Sequence, residues 1–178
     1  MSYVWAHGKD LDDINDAIKT KNGSQTDYTI DQMAAAIDNI PKYTLKSLLE
    51  KTINILDFND IEIIYDYAFN GCTSLTTVNL PVCTTIYDYA FMSCTSLTTV
   101  NLPSCTSIGE GAFSGCTSLI GVILSGPTVC TLETNFVFDN TPIASGTGYI
   151  YVSDNLVDTY KAATNWSAYA SQIVAISE

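Results

Sequence analysis

Five of the six cysteines, Cys72, Cys83, Cys94, Cys105 and Cys116, fall at eleven-residue intervals, and Cys130 breaks the step. Thiols at fixed spacing suggest three chemistries: disulfide staples, a zinc site or a nucleophile. Zinc sites draw on CxxC pairs with histidine nearby. Here there is no CxxC, and the single histidine is the distant His7. A reactive thiolate needs a base or cation beside it, yet no His, Lys or Arg lies between Lys51 and Lys161. Stacking would bring cysteines of one column within the Cα range of a disulfide, about 4.4–6.8 Å, but parallel inward side chains rarely meet the required dihedral. Free cysteine packs as a small apolar group. The expectation is buried thiols, with no metal, no cofactor and no catalysis.

A second regular set is acidic: Asp66, Asp88 and Glu110, each in an I-x-[DE]-x-A-F setting. A carboxylate column offers oxygen ligands for Ca²⁺, but calcium wants roughly six to eight oxygens converging on one point. Each carboxylate is better suited to capping backbone N–H groups of the turn that leads into Ala-Phe. Beside them, Tyr65/Tyr87 and Tyr67/Tyr89 form paired columns. Exposed tyrosines suit recognition, whereas aromatic pairs on adjacent strands stabilise one another, and the ladder is the favoured reading.

These columns require a repeat to position them. CTSLTTVNLPVCTTIYDYAFMS begins at Cys72, CTSLTTVNLPSCTSIGEGAFSG at Cys94, and CTSLIGVILSG at Cys116, an offset of 22 residues. One offset earlier, Leu75, Val78 and Leu80 map to Ile53, Leu56 and Phe58, and Cys83 maps to Ile61. A column that accepts both Cys and Ile is an apolar core position. After an insertion around Ser125–Thr128, Val137–Phe138 ends the series. In each L-x-x-V-x-L the V-x-L part alternates, with apolar residues inward and the residue between outward. Pro81 and Pro103 end the strands. A single repeat cannot bury its own edge, so the copies must stack. Ile55 and Asp57, Thr77 and Asn79, Thr99 and Asn101, and Gly121 and Ile123 are then expected on one exposed sheet face.

L-x-x-V-x-L-P followed by I-x-[DE]-x-A-F-x-x-C over roughly residues 50–140 resembles the BspA-like leucine-rich repeat family of bacterial and some protozoan surface proteins. The tail IYVSDNLVDTYKAATNWSAYASQI is similar to the segment that often follows such repeats. The resemblance implies a solenoid used for adhesion or protein contact, with no shared catalytic residues. Tyr65 and Tyr87 stand where the family commonly has Gly, which Gly109 keeps.

The ends read as caps. Asp10 is placed to cap a helix with Leu11, Ile14, Ala17 and Ile18 on one face, stopped by Asn22-Gly23. Thr29 and Gln32 form a capping-box pattern ahead of Met33, Ala36, Ile37 and Ile40, closed by Pro41. Residues 10–40 also resemble leaders of phage tail-associated proteins, so an attachment segment is the alternative to a cap. At the other end, Gly148–Val152 is predicted as a strand and Ser153 as a helix N-cap. Leu156, Val157, Tyr160, Trp166, Tyr169 and Ile173 are expected to pack on the last repeat rather than form a carbohydrate platform. The fold expected is an α+β repeat solenoid of about four 22-residue repeats. Residues 1–42 form an N-terminal helical hairpin cap, 43–142 the solenoid, and 143–178 a C-terminal strand–helix cap.

Charge narrows the partners. The chain carries 19 acidic residues against seven lysines, a net charge of −12. The cation-free repeat block cannot neutralise phosphates, which argues against nucleic acid and against anionic membrane surfaces. No stretch is long and apolar enough to span a bilayer. The first twenty residues lack the form of a secretory signal, so export implies a removed leader or another route; Met1 favours a natural start. The function expected is a non-catalytic interaction or adhesion module, cell-surface or extracellular, binding a protein or glycan through Asp57, Thr77, Asn79, Thr99, Asn101 and Ile123. The alternative is a phage tail-associated or other assembly component located in the virion, with self-association through the N-terminal helices.

Overall fold

The structure, a computed structural model, describes residues 2–4 and 54–177. The expected N-terminal helical hairpin and the attachment segment at residues 10–40 lie outside the described residues.

The alternation read in V-x-L builds the first of two parallel sheets. Strands β2 (Ile55–Asp57), β4 (Thr77–Asn79), β6 (Thr99–Asn101) and β8 (Gly121–Leu124) come from successive copies, joined by β10 (Tyr149–Val152) and β11 (Ile173–Ala175). Their order is β11-β10-β8-β6-β4-β2. The second half of each copy supplies a shorter strand to the other sheet: β3 (Ile61–Ile64), β5 (Thr85–Ile86), β7 (Ser107–Ile108) and β9 (Thr131–Leu132). The backbone of β1 (Ser2–Val4) runs beside β3, giving the order β1-β3-β5-β7-β9. Strands two to four residues long suffice because each is buried on its inner side and hydrogen-bonded by the coil before and after it.

A third side is closed by turns. There the N–H groups of Tyr67, Phe69 and Gly71 donate to Asp88, Ala90 and Met92 of the next coil at 2.7–3.0 Å. The pattern recurs from Tyr89, Phe91 and Ser93 to Glu110, Ala112 and Ser114. Between these three sides, equivalent side chains stack. Leu56, Val78, Val100 and Val122 form one fully buried column, and Ile64, Ile86 and Ile108 another. Phe69, Phe91, Phe113 and Phe138 are stacked at centroid spacings of 5.2, 5.4 and 5.8 Å. Each such pair contributes about 0.5–1.5 kcal/mol beyond the area it buries.

The C-terminal segment closes the last coil. Strand β10 is followed by a 3-10 turn at Asp154–Leu156, the short helix α1 (Val157–Ala162), a 3-10 segment at Trp166–Gln172, and β11. Tyr160, Trp166, Tyr169 and Ile173 are buried, with Leu156 and Val157 packed partly against the core. The polar tips of the aromatics meet the backbone of the final coil. Trp166 Nε1–H donates to the carbonyl of Cys130 at 2.6 Å, and the Tyr160 hydroxyl accepts the Cys130 N–H at 2.9 Å. Asn165 Nδ2 reaches the carbonyls of Leu132 and Glu133, and the Tyr169 hydroxyl donates to that of Asn135. An edge otherwise open to strand addition is thereby satisfied. Ser153 sits at the head of the first turn but does not cap it: its hydroxyl donates to the carbonyls of Ser125 and Gly126.

Candidate interaction face

The outward side of the six-stranded sheet carries the predicted binding residues in two register columns. One runs Ile55, Thr77, Thr99, Gly121, Tyr149; the other runs Asp57, Asn79, Asn101, Ile123, Tyr151. Asp57, Thr77, Asn79, Thr99, Asn101 and Ile123 are all half-buried rather than open, and Gly121 is buried.

The first half of this face is bonded to itself. Asn79 Nδ2 donates to Asp57 Oδ1 at 2.8 Å, and Asn101 Nδ2 donates to Asn79 Oδ1 at 2.8 Å. At the strand entry, the hydroxyl of Thr76 donates to the Asn54 carbonyl and that of Thr98 to the Thr76 carbonyl. Redirecting these polar groups to a ligand would break bonds already made.

Both ladders stop at β6. Where one coil has Thr98, Thr99 and Asn101, the next has Ile120, Gly121 and Ile123. Ile120 is 55% exposed. Strand β10 then adds Tyr149, 45% exposed, and Tyr151, their ring centroids 6.3 Å apart. A Cβ on Gly121 would lie 3.7 Å from the Tyr151 ring, so the missing side chain leaves that ring close over the backbone. Ile120, Tyr149 and Tyr151 were not legible as face residues in the sequence. The step from Gly121 to its partner Tyr149 is 28 residues rather than 22, and the L-x-x-V-x-L signature is gone by then.

The acidic column lies on the turn side and is used structurally. Asp66 Oδ1 accepts the N–H of Asp88 at 3.1 Å, and Asp88 Oδ1 accepts the N–H of Glu110 at 2.7 Å. The carboxylates therefore cap the turn of the following coil, not their own turn as the local pattern suggested. Glu110 accepts the Tyr89 hydroxyl, and that bond, with some desolvation, pushes the Tyr89 pKa up to about 12. The tyrosine ladders stack as expected, Tyr65 on Tyr87 at 5.7 Å and Tyr67 on Tyr89 at 5.2 Å. The left-handed turn position is held by Tyr67, Tyr89 and Gly111, two residues beyond Tyr65, Tyr87 and Gly109.

All six cysteines are buried. Cys94 and Cys116 donate to the carbonyls of Phe69 and Phe91, each at 3.1 Å, and Cys83 donates to that of Thr85. Burial pushes the Cys83 thiol up to about 12. Among the described residues, no three His, Cys, Asp or Glu side chains are grouped to hold a metal ion. No described helix is long and apolar enough to cross a membrane.

The comparisons with known proteins agree with this geometry. No curated protein gives a significant match to the chain. The family model for the BspA type leucine rich repeat region matches six copies over residues 38–156, reaching past the four coils of the 22-residue offset at both ends. With parallel strands in register, columns of identical residues and a match across more than half of its length, the chain belongs to the BspA type leucine-rich repeat family.

Proposed function

We propose that this chain is a non-catalytic interaction or adhesion module of a bacterial surface or secreted protein, and that it engages a protein or glycan through the outward face of its six-stranded sheet. The observation that carries this reading is the change in that face at β8. A self-bonded Asp/Asn/Thr surface gives way to Ile120, Ile123, Tyr149 and Tyr151. Clustered apolar groups, here exposed at Ile120 and Tyr149 and half-buried at Ile123 and Tyr151, gain about 25 cal/mol per Å² when a partner covers them. Tyrosine adds a large surface with a polar tip at low entropic cost. The carboxylates of Asp66 and Asp88 are occupied by backbone N–H groups, which supports a binding rather than a catalytic role. A net charge of −12 favours a neutral or basic partner surface.

The test is a screen of the intact chain against extracellular matrix proteins and glycans, followed by substitution. Ile123→Arg and Tyr151→Ala are expected to weaken capture about tenfold or more, as residues at the centre of an interface do. Glu62→Gln, exposed on β3 of the other sheet, serves as the control. Undiminished binding by both variants, with folding retained, would place the contact elsewhere.

A further inference from the structure

The three-residue insertion around Ser125–Thr128 alters one cysteine column. Cys83 and Cys105 each donate to the carbonyl two residues on, Thr85 and Ser107. Cys130 lies 25 residues after Cys105, and its thiol donates to the Cys105 sulfur at 3.9 Å. The strand register of Ser107 with Thr131 places Cys130 beside Thr106, one residue along from Cys105. Neighbouring parallel strands are about 4.8 Å apart and rise about 3.3 Å per residue, so such a diagonal pair falls within the Cα range that a disulfide tolerates, about 4.4–6.8 Å. The sulfurs must close to about 2 Å.

The same insertion borders a cavity. Gly126, Pro127 and Thr128 on one side and Pro103, Ser104 and Thr106 on the other line a cavity of about 230 Å³, and Cys105 lies on its wall. Gly126 lets the two segments approach, since a Cβ there would come within 2.9 Å of the Pro103 carbonyl oxygen. Cys105 is 5% exposed, whereas Cys130 is fully buried behind it. The two thiols therefore have different access and different roles in their hydrogen bond. The Cys130 S–H bond holds the Cys105 thiol below its ordinary pKa, while the same bond, and after it burial, pushes Cys130 up.

We infer that Cys105 and Cys130 form an oxidisable dithiol site, in which a small peroxide entering the cavity converts the pair to a disulfide between the third and fourth coils. The Cys105 thiolate attacks one peroxide oxygen, the O–O bond breaks as Cys105 becomes a sulfenic acid, and the hydroxide that leaves takes up the proton Cys105 lost on ionising, as water. The Cys130 sulfur then attacks the Cys105 sulfur, the S–O bond breaks, and the departing hydroxide takes the Cys130 proton as water. Two thiols are oxidised, one peroxide is reduced, and two waters form.

The test is hydrogen peroxide added to the intact, reduced chain at neutral pH, followed by thiol counting after unfolding and by peptic peptide mapping. The expected result is loss of two thiols per chain, with Cys105 and Cys130 joined within one molecule and the mass lowered by two hydrogens. Cys130→Ala is expected to stop at a Cys105 sulfenic acid that dimedone traps, Cys105→Ala to lose no thiols, and Cys116→Ala to behave as the parent. Full retention of thiols in a folded, peroxide-treated chain overturns the inference, as does a bond joining any other pair. If the alanine variants do not fold, the peptide map of the parent chain decides.

Discussion

Asn101 donates its side-chain amide to the side-chain oxygen of Asn79, 2.8 Å away and one coil earlier, and Asn79 does the same to Asp57. The middle member both gives and receives, so its removal takes one bond from Asp57 and one from Asn101. Asn79→Ala is expected to cost about 1–3 kcal/mol, more than Asn101→Ala, which breaks a single bond. Urea denaturation of the two variants against the parent measures the order, and equal midpoints would show that the ladder is not coupled.

A second column tests the backbone. Gly71, Ser93 and Gly115 occupy the same place in successive turns, all with positive φ, and at Ser93 the value is 59°. Left-handed backbone costs an L-residue roughly 1 kcal/mol or more, which glycine escapes. Ser93→Gly is therefore expected to raise stability by about 0.5–1 kcal/mol. Gly115→Ala should lower it, since the new Cβ adopts φ +74° and lies 3.3 Å from the Ser93 hydroxyl. Thermal unfolding of the two variants should shift in opposite directions.

Much of this molecule was written in its period. The 22-residue offset assigns the inward Leu, Val, Ile and Cys columns, and Ile61 in the place of Cys83 marks the cysteines as core positions. The outward columns followed from alternation. Two features escaped because they depend on neighbours in space rather than in sequence. Asp66 and Asp88 sit in a setting that suggests capping of their own turns, yet stacking brings the next coil's N–H closer. Tyr149 and Tyr151 join the sheet 28 residues after Gly121 and Ile123 rather than 22, so no periodic pattern ties them together.

The C-terminal cap bonds to the last coil through a few polar atoms, and Trp166 makes one of the two bonds that are buried. Trp166→Phe keeps most of the ring but removes the Nε1–H that satisfies the buried Cys130 carbonyl. A lost bond to a buried acceptor costs about 1–3 kcal/mol. Hydrogen exchange should show it first in β9 and β10, because repeat arrays open from their ends. Uniform loss of protection along the array would instead mean that the cap and the repeats unfold as one unit.

Alkaline pH should undo this fold from its core. Cys83, ordinarily near 9.0, is pushed up to about 12 by burial and by the neighbouring Cys105 sulfur. Tyr160, ordinarily near 10.0, is pushed up to about 12, again chiefly by burial. In both cases the uncharged form is the one the folded chain favours. Above pH 9 the unfolded chain releases protons that the folded chain retains, so stability falls as pH rises. The contribution is complete below pH 9 and is lost progressively towards pH 12. Urea midpoints measured at successive pH values should hold steady through neutrality and then decline across that window. Cys83→Ala lacks the buried thiol and should start less stable but decline less steeply above pH 9. If both proteins fell in parallel, the alkaline loss would come from the other groups that are pushed up, Cys130 and the buried tyrosines, with Tyr160→Phe the variant to separate them.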